Sequence, residues 1–152
     1  MTHSRTNRHL NPLASARAQS LVEFALTLPL LSLLLLGTVD LGRVFKLYVT
    51  ITNASREGAR YGIQNPADTP GIQAHAIQEA SSSGVLLTPS DITVACSHYG
   101  GGSSVACDAA YNGDYLQVTV TQDFHLLSLL DRASIHLSSF TVMPIINGVT
   151  SP

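Results

Sequence analysis

Residues 21–41 read LVEFALTLPLLSLLLLGTVDL, and no charged residue falls between Glu23 and Asp40. Leucine dominates the interval, and its polar residues are no stronger than Thr27, Ser32 and Thr38. A helix of this length rises about 30 Å, which is the thickness of a bilayer's hydrocarbon core. The stretch therefore predicts a membrane span with one acid near each water boundary, and it names the lipid bilayer as the first partner. Glu23 lies inside the start of that span, where a carboxylate is costly and usually has a partner. The alternative is that it sits one turn from the interface and snorkels into water.

Outward from the span, the two flanks differ. The N-terminal flank carries Arg5, Arg8 and Arg17 and no acid, the pattern of a cytoplasmic basic leader. The other flank carries Arg43, Lys46, Arg56 and Arg60, so counting charges leaves the orientation open. The distal part decides it. Residues 61–152 hold Arg132 against seven acids, a balance of −6. Such an acidic surface argues against nucleic acid as a partner, because phosphate binding needs a basic patch.

Cys96 and Cys107 bracket a Gly- and Ser-rich segment. A short flexible loop between two cysteines suits a disulfide in an oxidising compartment; two free thiols are the plainer alternative. Together these features predict an N-terminus inside and a C-terminal domain outside. A cleaved secretory signal is the rival reading. Against it, the apolar run is long, no clear A-x-A site follows, and the helical pattern continues past the span. Only 12% of the 152 residues are charged, about half the usual share, which allows one modest domain plus the anchor.

The helix is predicted to begin near Ala14 and run to about Gln64, with a kink permitted at Pro29. Beyond the bilayer it becomes two-faced. Arg43, Lys46, Thr50, Asn53, Glu57, Arg60 and Gln64 recur on one face, which reads as solvated or as subunit contacts. Val44, Leu47, Ile51, Ala54 and Gly58 recur on another, widened by Phe45, Tyr48 and Ala59. Ala54, Gly58, Ala59 and Gly62 read as close-packing positions. Asn65-Pro66 stops the helix. Thr69 is expected to cap a second helix ending at about Ser83, with Ile72, Ala76, Ile77 and Ala80 inward and Gly84 as terminator.

Three strands are predicted next. Ile92, Val94 and Cys96 alternate with polar or small residues, as do Leu116, Val118 and Val120. The third run, from Ile135 to Met143, changes parity, which predicts a bulge near Ser138-Ser139. The apolar run His125 to Asp131 reads as a core-filling turn or a membrane-grazing loop.

Chemistry is sparse. Cys96, His98 and Cys107 would give three zinc ligands with no evident fourth, and a disulfide accounts for the cysteines more simply. Gly100-Gly101-Gly102 lacks the lysine and helix start of a phosphate loop. No nucleophile elbow is present, and no catalytic, cofactor-binding or metal-binding set emerges.

Ala18-Gln19-Ser20-Leu21-Val22-Glu23-Phe24 resembles the processing motif of prepilins of the tight-adherence (Tad) system. The wider stretch, residues 17–62, is similar to the core of TadE-like proteins, with Phe24, Pro29, Asp40, Gly42, Arg43 and Arg56-Glu57-Gly58-Ala59-Arg60 fitting the pattern. The resemblance implies cleavage between Ala18 and Gln19, with Glu23 and Phe24 at the fifth and sixth mature positions. It implies an α+β, pilin-like fold: a long N-terminal transmembrane helix continuing as an amphipathic helix packed on a small antiparallel sheet. The implied organisation is a cytoplasmic leader at 1–18, the long helix at 19–64 and an extracytoplasmic domain at 65–152.

The implied role is a non-enzymatic minor pseudopilin or assembly subunit in the bacterial inner membrane. Its implied partners are other pilin or pseudopilin subunits, the Tad assembly platform and a prepilin peptidase. The family usually carries Gly before the cut, where this chain has Ala18. That difference keeps open an uncleaved single-pass protein whose exported domain binds an envelope or pilus component.

Overall fold

The structure, a computed structural model, describes residues 12–99, 102–126 and 134–149, with the backbone alone for 12–18. Arg5, Arg8, Gly100, Gly101 and the apolar residues 127–131 lie outside the described residues. Helix α1 spans Pro12–Gly62, two residues earlier at each end than the sequence pattern predicts. It continues through Pro29. By Cα proximity the chain forms two compact units, Met1–Val39 and Asp40–Pro152.

In the first unit the leucines of the apolar run are exposed along the helix. The hydroxyls there are satisfied within it: Thr27 donates to the Phe24 carbonyl and Thr38 to the Leu34 carbonyl. No polar side chain of this pair therefore demands water, as a lipid-facing helix requires.

The second unit is an α+β fold. Helix α2 (Thr69–Ser82) precedes β1 (Ile92–Ser97), β2 (Ser104–Val105), β3 (Tyr115–His125) and β4 (Ser134–Pro144). The four strands form one antiparallel sheet in the order β2-β1-β3-β4. Its core joins Ile51, Ala54 and Ala59 of α1, Ile72, Ala76 and Ala80 of α2, and Leu116, Val118 and Val120 of β3. Small residues let these layers approach. A Cβ on Gly58 would stand 3.3 Å from the Ile72 carbonyl oxygen, and one on Gly62 only 2.9 Å from Leu116. Two of the predicted packing positions thus sit where helix meets helix and strand.

Helix α2 is capped by Asp68, not by the expected Thr69: the Asp68 carboxylate accepts from the Gly71 amide at 3.0 Å. A carboxylate reaches an N3 amide and also favours the positive end of the helix, so it takes the cap. At the other end Gly84 adopts φ +77°. The Gly84 amide donates to the Ser81 carbonyl and the Val85 amide to the Ala80 carbonyl, the two bonds of a Schellman ending.

The sheet corrects three further expectations. A two-residue strand, β2, pairs with β1 beyond the three that alternation revealed. The bulge near Ser138-Ser139 is absent, because β3 and β4 pair without interruption from Tyr115↔Pro144 to His125↔Ser134. The change of parity has another cause. Ser139 and Thr141 face α1, while Phe140 and Val142 point outward and stay exposed.

The third correction follows from that contact. Phe45 and Tyr48 do not widen the buried stripe; both are exposed. Thr52 and Ser55 take the sheet-facing positions instead. Thr52 Oγ1 lies 3.0 Å from Ser139 Oγ, and Ser55 Oγ lies 2.8 Å from Thr141 Oγ1. Each helix hydroxyl donates to a carbonyl of its own helix, Thr52 to Tyr48 and Ser55 to Thr52. Each therefore accepts from the strand hydroxyl opposite, and this part of the interface is polar and fully paired. Thr50, placed on the solvated stripe by its spacing, is also buried and donates to the Lys46 carbonyl.

Candidate functional site

The first candidate region is the start of the apolar helix. Gln19, Glu23 and Phe24 are all exposed on α1. Gln19 and Glu23 are four residues apart and so share a helix face. Ala18 belongs to the same helix by its backbone. The exposed leucines that follow make this a candidate membrane span by length and composition.

A second group marks the beginning of the second unit. Asp40 is 3% exposed, although the residues on either side of it, Val39 and Leu41, are open. Arg43 Nη1 lies 3.4 Å from Asp40 Oδ1, and the guanidinium sits 5.0 Å from the centre of the Phe124 ring. A weakly hydrated, planar cation suits both partners at once. The β3 end is thereby tied to the helix where the apolar run stops.

A third group lies near the far end of α1. Arg60 bonds Glu57 through two nitrogens. That pairing holds the Glu57 carboxyl below its ordinary value. His75 of α2 stacks on Tyr61 at 4.2 Å and approaches Glu57 at 4.0 Å. The Tyr61 hydroxyl donates to Asp68 at 2.8 Å, which lowers the Asp68 carboxyl and raises the phenol.

A fourth group surrounds the disulfide. Cys96 and Cys107 are bonded, with Cα atoms 5.2 Å apart, so neither is free to hold zinc. Beside them the buried Asp114 carboxylate accepts from the Tyr111 amide (2.9 Å), the Tyr99 amide (3.2 Å) and His98 Nδ1 (3.1 Å). The Tyr111 amide bond is the largest cause of a carboxyl held below its ordinary range, followed by the His98 bond and the Tyr99 amide. One side chain thus ties two segments, residues 98–99 and residue 111, to its own turn. Sequence reasoning passed over Asp114; its signal is its place directly after Asn112-Gly113, a turn pair, with Gly113 at φ +92°. Among the described residues, no group of three His, Cys, Asp or Glu side chains is placed to hold a metal ion.

Compared with known families, residues 18–60 match the model described as TadE-like protein. This segment is TadE-like. The match begins at Ala18 and ends at Arg60, so it takes in Glu23, Phe24, Asp40, Arg43 and the Glu57–Arg60 pair. The disulfide, Asp114 and the sheet lie outside it. No curated protein and no solved structure matches the chain. The TadE-like match thus covers less than a third of the chain, and the distal unit adds a fold and a disulfide outside it.

Proposed function

We propose that the protein is a non-enzymatic minor pseudopilin or assembly subunit of a Tad-type pilus or secretion system. It is held in the bacterial inner membrane by its N-terminal helix, with the leader (1–18) cytoplasmic, the long helix at 19–64 and the domain at 65–152 extracytoplasmic. The observation that carries this reading is a TadE-like match lying on a helix of exposed leucines with one carboxylate, Glu23, near its start. After cleavage between Ala18 and Gln19, the new amine of Gln19 on one subunit pairs with Glu23 of its neighbour. The pairing offsets the cost of placing each charge in apolar surroundings. Phe24 and the leucines then pack against neighbouring pilin or pseudopilin helices on the assembly platform.

Glu23→Ala leaves the amine unpaired and is expected to lower pilus output or secretion while the protein stays in the membrane fraction. Unchanged output from that variant rejects the role. Ala18, where the family usually has Gly, supports a second reading: an uncleaved anchor whose exported domain binds an envelope or pilus component. Mass spectrometry of the N-terminus separates the two. A chain beginning at Gln19 means a prepilin peptidase has acted, and one retaining residues 1–18 means a static anchor.

A further inference from the structure

We infer that the base of the second unit is a lipid-docking surface, which seats the folded domain in the headgroup layer of an anionic bilayer. The inference rests on the anchored reading above. Its starting point is Asp40, which belongs to the second unit and is buried although it lies inside the last residues of the apolar run. Helix α1 is unbroken through Asp40 and Leu41. Arg43 and Lys46 follow Leu41 by about 3 and about 8 Å along the helix axis. The headgroup layer beyond the hydrocarbon is about 5–7 Å deep on each side, so both cations stand in it or at its edge.

Other elements of the unit reach the same level. Gly84 and Val85, at the end of α2, and Phe124, at the end of β3, line one cleft of about 330 Å³ with Arg43, Lys46 and Leu47. Helix α2 runs back along α1, since Ile72 meets Gly62 while Ser83 shares a cleft with Phe45 and Lys46. Its Schellman ending then delivers Leu86, which is 86% exposed, next to Val85 at this base. Phe45 is 69% exposed on the neighbouring turn of α1. Two large apolar side chains held open beside two cations have the composition of a surface that enters a headgroup layer. Lys46 makes no ion pair among the described residues, which leaves its charge for phosphate. The occupant is thus an anionic lipid surface, continuous with the lipid around the span.

The test uses the full chain reconstituted in vesicles of phosphatidylethanolamine and phosphatidylglycerol with no other protein present. Single cysteines at Leu86, Tyr99 and Leu31 are labelled with an environment-sensitive dye, the native disulfide remaining closed. A spin-labelled lipid is the apolar quencher and iodide the aqueous one. The expected result is lipid quenching at Leu86 several-fold stronger than at Tyr99, with Leu86 shielded from iodide. Lys46→Gln should weaken that docking about fivefold on anionic vesicles, the effect of one cation at such a surface, and leave it unchanged on neutral ones. Strong quenching at Leu31 with an iodide-exposed Leu86 overturns the docking surface alone, and a protein partner then covers this base. Loss of lipid quenching at Leu31 overturns the anchored reading and the docking with it.

Discussion

Two stretches of α1 meet opposite fates. In residues 26–36 every leucine is exposed, whereas Ile51, Ala54 and Ala59 are fully buried. The first stretch is large, apolar and unpartnered by protein, and an exposed apolar patch of that extent marks a surface meant for something other than water. The second is built of smaller side chains, and Gly58 and Gly62 let α2 and β3 close on the backbone. Side-chain size, more than hydrophobicity, separates the exposed part of the helix from the protein-facing part. Asp40 stands where one gives way to the other.

The sharpest way to break this contrast is a pair of leucine truncations followed by thermal or denaturant unfolding of the full chain. Leu116→Ala opens a cavity under α1 and is expected to cost about 2–5 kcal/mol. Leu31→Ala truncates a side chain that is largely exposed and is expected to change the same transition by less than about 0.5 kcal/mol. Equal losses would mean that the apolar run packs against the folded unit.

The disulfide offers the next effect. It belongs to the second unit alone and closes a loop of sequence separation 11, so replacing both cysteines with serine should lower unfolding stability by about 3 kcal/mol. Membrane retention should not change. A loss of retention in that variant would contradict the independence of the two regions.

The smallest effect is a pH dependence. The Asp114 carboxyl is held below its ordinary value by the Tyr111 amide, His98 and the Tyr99 amide. A depressed folded-state value contributes stability that is present above the unfolded-state value, and that stability is lost as pH falls through the folded-state value. Unfolding midpoints measured from about pH 7 down to about pH 3 should therefore fall more steeply in the native chain than in Asp114→Asn. Parallel profiles would show that the carboxylate's charge does not hold the loops together.

Much of the architecture was legible because it obeys simple periods. The long helix, α2, β1 and β3 all follow from spacing, and the disulfide partners follow from two cysteines around a short loop. What escaped had a physical cause in each case. Ser139 and Thr141 look solvent-facing in sequence, yet Ser139 is buried and Thr141 half-buried, their hydroxyls paired with Thr52 and Ser55. Phe140 looks like core and is left outside, on the outer face of the edge strand. A pattern that equates apolar with inward must fail where a polar interface replaces an apolar one. Asp114 gathers bonds from residues 98, 99 and 111, a convergence that only the fold creates. The proposed processing and assembly residues form a local motif: Ala18, Gln19, Glu23 and Phe24 fall within seven consecutive residues.

An oily helix held in lipid, with the disulfide-bearing unit facing outward, is the central proposal to test. The direct measurement combines alkaline carbonate washing of membranes with labelling of Tyr99→Cys in intact cells by a membrane-impermeant maleimide admitted past the outer envelope. Full retention in the washed membrane and a labelled Cys at position 99 are expected. Release into the wash, or a position 99 thiol that reacts only after the inner membrane is broken, would contradict the proposal.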